Sequence, residues 1–210
     1  MFSKLQYISQ GNTVEQQLYN IHQALDNGCD WIQMRFKNGN SNELFTLAEA
    51  VKILCNEYLA TFIINDKVDL AIQINADGVH LGANDMKIGE ARNLLGNHKI
   101  IGGTANTFED IIHLSKEKCD YIGLGPYKFT TTKTKLSPII GLEKYKRILS
   151  KMQEQNIQIP VYAIGGIEAN DIDNLLKIGI HGIAVSKLLT NNPFTKELII
   201  QLNEKLYVNF

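Results

Sequence analysis

Three groups of residues in this chain of 210 amino acids could do chemistry together. The first is basic: Arg35, Lys37 and Lys133. The second is a pair of carboxylates, Asp66 and Asp85. The third is Gly166 and Ser186, and the threonines Thr130, Thr131 and Thr132 beside Lys133 add hydroxyls. Residues 123–135 show the pattern best. They begin apolar and end as a loop of threonines and lysines. Gly123 and Gly125 let the backbone come close to another group, and Pro126 ends the ladder. Hydroxyls, backbone N–H groups and an ammonium are what an anion site needs, most often a phosphate site. The alternative is a solvated basic loop.

Gln33, Arg35 and Lys37 alternate along one apolar run, so they share a face with Trp31, while Ile32, Met34 and Phe36 take the other. A buried, unpaired Arg or Lys is costly. An anionic ligand would relieve that cost, and so would an ion pair with Asp66. Asn65-Asp66 ends one run and Asp85 follows the next. Two carboxylates on neighbouring strand ends can hold one Mg²⁺ in the service of a phosphate. Each could instead cap the helix after it. Gly102-Gly103-Thr104 suits close ligand approach, and Thr107 is a candidate cap beside Asn106. His80 lies within an apolar run and reads as a core histidine. No Ser-His-Asp or Cys-His set is present.

These residues need a frame that brings them to one place. Short runs rich in Ile and Val alternate with amphipathic segments. The runs lie near 5–9, 31–37, 61–66, 78–82, 99–104, 121–125, 160–166 and 182–186. The spacing predicts helices from about residue 13, capped by Thr13; from 41, capped by Ser41; and then over 68–74, 88–95, 108–115, 142–152, 172–178 and 198–206. Runs that are apolar on both faces suit a buried parallel sheet. Eight such units predict one (β/α)8 TIM barrel over residues 1–210, near the lower size limit of that fold. The rival is an open doubly wound sheet, but no Gly-rich turn of its kind follows the first run. In a barrel the chemistry belongs at the C-terminal ends of the strands, where the unusual residues fall. Backbone N–H groups after strands seven and eight, at Gly166, Val185 and Ser186, form the recurrent phosphate site of that fold. The mouth would hold two anion sites and a metal pair, enough for two phosphorylated substrates, one bearing a metal-bound diphosphate.

A net charge of -1 points to no nucleic-acid surface. No stretch is apolar for long enough to span a bilayer, and the N-terminus carries no signal pattern, so a cytoplasmic protein is expected. Cys29, Cys55 and Cys119 are widely spaced and read as buried free thiols.

The chain resembles the thiamine-phosphate synthase (thiamine-phosphate pyrophosphorylase) family along nearly its whole length. The carrying motifs are Gln33-Met34-Arg35-Phe36-Lys37, Ile64-Asn65-Asp66-Lys67-Val68-Asp69, Gly78-Val79-His80-Leu81-Gly82, Ile122-Gly123-Leu124-Gly125-Pro126, Thr130-Thr131-Thr132-Lys133, Ala163-Ile164-Gly165-Gly166-Ile167 and Ala184-Val185-Ser186. The resemblance implies that hydroxymethylpyrimidine diphosphate and hydroxyethylthiazole phosphate join to give thiamine phosphate and pyrophosphate. It implies that Gln33, Arg35, Lys37, Asn65, Thr104 and Lys133 hold the pyrimidine diphosphate, with Arg35 and Lys133 catalytic. Asp66 and Asp85 would bind Mg²⁺. Thr130, Thr131, Thr132, Gly166, Val185 and Ser186 would hold the thiazole phosphate. Two departures stand out: Ala83 where many relatives have Gln, and Thr104 where Ser is common.

Two alternatives share the fold. A thiazole phosphate tautomerase should lack the paired Asp residues and the loop Lys, and carry a His near position 106, which here is Asn106. A non-catalytic barrel that binds thiamine precursors would not need both carboxylates. The expected partners are the two small phosphorylated heterocycles, with no nucleic acid and no membrane; a homo-oligomer stays open.

Overall fold

Residues 2–130, 137–192 and 195–207 are described by the structure, a computed structural model. The strands are β1 Leu5–Ile8, β2 Trp31–Met34, β3 Thr61–Asn65, β4 Gly78–Leu81, β5 Ile100–Ala105, β6 Tyr121–Leu124, β7 Val161–Ile164 and β8 Gly182–Val185. Each pairs in parallel with the next, and β8 returns to β1, closing the barrel. The helices are α1 Val14–Asp26, α2 Ser41–Glu57, α3 Val68–Gln73, α4 Ile88–Leu95, α5 Phe108–Lys116, α6 Gly141–Glu154, α7 Ile172–Lys177, α8 Lys187–Thr190 and α9 Thr195–Tyr207. The fold is the expected single (β/α)8 barrel. Among the described residues no helix is long and apolar enough to cross a membrane.

The two-residue period of the strands divides the core. Outward residues such as Ile32, Met34, Ile64 and Val79 meet the helices in one continuous apolar shell. Inward residues Trp31, Ile63, Tyr121 and Tyr162 form a second cluster inside the barrel. Trp31 lies 5.0 Å from Tyr121 and 5.1 Å from Tyr162, ring centre to ring centre and edge to face, and Phe2 covers the group from below at 5.3 Å from Trp31. Such pairs add about 0.5–1.5 kcal/mol each beyond the area they bury. They stop the N-terminal end of the barrel, leaving the other end as the mouth.

The second helix starts differently from the expectation. Asn40, not Ser41, is its cap. Asn40 Oδ1 accepts from the N–H groups of Asn42 (3.0 Å) and Glu43 (3.1 Å), and Glu43 Oε2 accepts from Asn40 N. This reciprocal capping box satisfies donors that Ser41, already inside the helix, could not reach. Thr13 and Thr107 cap α1 and α5 as expected. β2 is also shorter than the apolar run suggests. The ladder stops at Met34, because Arg35 N donates to the Ser9 hydroxyl at 2.8 Å and leaves the sheet.

Candidate active site

A cavity of about 890 Å³ opens at the C-terminal ends of the strands. Gln33, Arg35, Lys37, Asn65, Asp66, Asp85, Thr104, Thr130, Gly166, Val185 and Ser186 all line it. Thr131, Thr132 and Lys133 lie outside the described residues. A smaller hollow of about 380 Å³, near the opposite end at Lys4 and His181, has no carboxylate in its wall.

On the wall formed by β2 and β3, Gln33 is buried and its Nε2 donates to Asn65 Oδ1 at 2.8 Å. That bond fixes both amides. Asn65 keeps its NH₂ for another partner, and Gln33 Oε1 is buried with no hydrogen bond. An orphaned acceptor of this kind calls for a donor. Arg35 and Lys37 follow just beyond the strand. Burial lowers the Arg35 pKa, and the charge of Asp66 pulls partly the other way. Lys37 Nζ stands 3.6 Å from Asp66 Oδ2. The ion-pair alternative therefore holds for Lys37, whereas no described side chain forms a salt bridge with Arg35.

Asp66 has φ 64°, a left-handed backbone that a non-glycine residue adopts at a cost of about 1 kcal/mol or more. Its N–H donates to His80 O at 2.9 Å, which holds the turn. Burial pushes its carboxyl up to about 6, helped by the Asp85 carboxylate beside it, while Lys37 and Arg35 oppose the rise. Asp85 Oδ2 accepts from Gly82 N at 2.7 Å. Neither carboxylate caps a helix: the N-cap residues of α3 and α4 are Lys67 and Lys87, and neither helix has a side-chain cap. Among the described residues no group of three or more His, Cys, Asp or Glu forms a metal cage.

The facing wall rests on Gly165 and Gly166, at φ 88° and 71°. A Cβ on Gly166 would lie 2.7 Å from Phe129 O. Glycine is required because the loop after β6 packs down here. Tyr127 N donates to Ile164 O, and Lys128 N to Gly165 O, both at 2.9 Å. Lys128 Nζ reaches Asp171 at 2.9 Å and Glu168 at 3.0 Å. Ser186 Oγ donates to Gln10 Oε1 at 3.1 Å. Asn106 ties the β5 end to the same loop: its Nδ2 donates to Gly125 O, and its Oδ1 accepts from Ser137 Oγ at 3.1 Å.

Sequence reasoning passed over Gln6, Gln10, Lys128 and Tyr121. His80 is the core residue it was read as, and it also lines the mouth. Strand parity was the signal that could have found the inner ones. Gln6, His80 and Tyr121 share the inward phase of their strands with Ile8, Gly82 and Gly123, so all must meet inside the barrel.

Comparison with known proteins gives a consistent picture. The family model described as thiamine monophosphate synthase matches residues 5–189. The chain is 65% identical to the thiamine-phosphate synthase of Flavobacterium johnsoniae, over 100% of this chain and 99% of that protein. It is 62% identical to that of Flavobacterium psychrophilum, over 98% of this chain and 100% of that protein. The solved thiamine phosphate pyrophosphorylase of Pyrococcus furiosus superposes with a TM-score of 0.83 at 31% identity, covering 97% of this chain and 95% of that one.

Proposed function

The chain belongs to the thiamine monophosphate synthase family and is a transferase of thiamine biosynthesis, and from that premise we propose how its mouth divides the work. Hydroxymethylpyrimidine diphosphate takes the wall of β2–β5. The orphaned Gln33 Oε1 accepts from the amino group of the pyrimidine, and the NH₂ of Asn65 donates to a phosphate oxygen. Arg35 and Lys37, with Lys133, balance the diphosphate charge. Thr104 adds a hydroxyl donor. Hydroxyethylthiazole phosphate takes the opposite wall, held by Thr130, Thr131, Thr132, Gly166, Val185 and Ser186.

Asp66 and Asp85 suit a Mg²⁺ ion. They are two adjacent carboxylates with no helix to cap, and Asp66 is raised by burial and by Asp85, a strain that a divalent cation would relieve. Two protein carboxylates are few for a metal, yet Mg²⁺ commonly takes its other ligands from water and phosphate. When bound, it would supply charge stabilisation to the diphosphate.

The bond between the pyrimidine methylene and the diphosphate oxygen breaks, and its electron pair leaves with pyrophosphate. Arg35 and Lys133 stabilise the growing negative charge. Arg35 is half-buried, so its charge acts where water screens it little. The cationic methylene carbon, whose charge the aminopyrimidine spreads, is captured by the thiazole nitrogen to form thiamine phosphate. No protein nucleophile is required. This reading places the enzyme in the cytoplasm with its soluble substrates.

The observation that carries the reading is the convergence of Arg35 and Lys37 with the Asp66–Asp85 pair in one cavity. Purified protein should turn both substrates plus Mg²⁺ into equal amounts of pyrophosphate and thiamine phosphate. EDTA should stop the reaction, and Lys133→Ala should slow it by about 10²-fold or more, as loss of one strong transition-state contact does. Metal-independent turnover, or full activity in Lys133→Ala, would overturn it.

A further inference from the structure

A line of polar side chains runs through the apolar interior of the barrel and surfaces in its mouth. Gln6 Nε2 donates to the Tyr121 hydroxyl at 3.1 Å. The Tyr121 oxygen lies 3.0 Å from His80 Nδ1, and His80 Nε2 lies 3.0 Å from Thr104 Oγ1. Gln6, Tyr121 and His80 are 1%, 0% and 4% exposed, whereas Thr104 is half-buried and lines the cavity. The four residues come from four strands, β1, β6, β4 and β5.

Space for this line is cut out by glycine. A Cβ on Gly102 would fall 2.2 Å from the Tyr121 ring, and one on Gly123 would fall 3.1 Å from His80 Cε1. Glycine weakens a strand interior and often marks a close approach. Here each lies directly against a member of the line.

The chemistry of the groups sets the direction of the bonds. An amide N–H can only donate, so the Tyr121 oxygen accepts from Gln6. Burial pushes the ionisation of Tyr121 far above the ordinary phenol range, so it keeps its proton. With its oxygen already accepting from Gln6, Tyr121 has that proton to give to His80 Nδ1, 3.0 Å away. A neutral imidazole that accepts at Nδ1 carries its hydrogen on Nε2, and donates it to Thr104 Oγ1. With a lone pair so engaged, the Thr104 hydroxyl turns its own hydrogen away from His80, towards the cavity.

We propose that Gln6, Tyr121 and His80 are positioning residues that hold Thr104 as a hydrogen-bond donor to the departing diphosphate. This rests on the assignment of Thr104 to the diphosphate subsite. A donor fixed in advance stabilises charge as it develops without reorganising, so its effect falls on kcat. Tyr121→Phe keeps the ring and removes one hydroxyl. It should lower kcat about fivefold, the factor one neutral hydrogen bond is worth, and leave the KM for the thiazole phosphate unchanged.

The test is a double-mutant cycle on kcat with Tyr121→Phe, Thr104→Ala and Thr104→Ser, together with ¹⁵N NMR of the histidines. Tyr121→Phe should cost its factor in the wild type and in Thr104→Ser, but nothing further in Thr104→Ala. His80 should be the Nε2–H tautomer in mildly alkaline buffer and lose that preference in Tyr121→Phe. If Thr104→Ala leaves the kinetics of the diphosphate substrate untouched, the subsite assignment fails and the proposal falls with it. If Thr104→Ala is impaired but Tyr121→Phe adds its full factor to it, the subsite stands and the positioning role is overturned. An Nδ1–H tautomer in the wild type overturns it as well. Should Tyr121→Phe fail to fold, Gln6→Met replaces it in the same cycle.

Discussion

Asp66 is raised in the folded state to about 6, first by burial and then by Asp85. An unfolded Asp titrates near 4, so between about pH 4 and pH 6 the folded chain binds more protons than the unfolded one. The contribution of this group to stability is therefore lost as pH rises through that window. In EDTA, the melting temperature of the wild type relative to Asp66→Asn should fall from pH 4 to pH 7; a flat or rising difference would show that Asp66 is not held protonated. Magnesium should act in the opposite sense, raising the melting temperature more above pH 6 than below it, and raising it little in Asp66→Asn. The two carboxylates were legible in the sequence because residue type and place at a strand end suffice to mark them. That Gln33 Oε1 is an unpaired buried acceptor was not, since it depends on Asn65 turning its amide oxygen, rather than its nitrogen, towards Gln33.

The turns and helix ends carry most of what holds the mouth in shape. Gly166 stands where φ is positive and the backbone of Phe129 presses close. Gly166→Ala should lose about 1–3 kcal/mol by urea unfolding and raise the KM for the thiazole phosphate, because the loop after β6 would be lifted. Unchanged stability would mean that the packing there is slack. Arg92 on α4 serves the opposite end. It donates to Lys99 O at 2.6 Å and to Lys118 O at 3.0 Å, and pairs with Asp120 at 2.5 Å, binding α4 to the starts of β5 and β6. Arg92→Met should cost about 2–3 kcal/mol with kcat unchanged; a loss of kcat would show coupling between the two ends. The strands and helices were legible because period and turn residues are local signals. The cap at Asn40 and the early end of β2 were misread because each depends on a partner, Glu43 in one case and Ser9 in the other.

Every strand but β4 contributes to both the inner cluster and the outer shell, so the two should melt together. The only tryptophan, Trp31, sits in the inner cluster. Its fluorescence and the helical circular dichroism should follow one denaturant curve; separate midpoints would mean that shell and interior come apart. Closure of the barrel was legible from the count of eight units and the missing Gly-rich turn. The filling of its interior was not, because it depends on which inward residues meet across strands that are distant in sequence. That filling turns the molecule into a cul-de-sac. With Phe2, Trp31, Tyr121 and Tyr162 packed behind the reacting groups, the described residues offer traffic one doorway, at the C-terminal ends of the strands. Two substrates must come in, and two products must back out, past the same threshold. Stray solvent meets that doorway too, so the fidelity of the reaction is guarded at the rim, while the floor keeps the walls upright and, through Tyr121, steadies one hydroxyl above it.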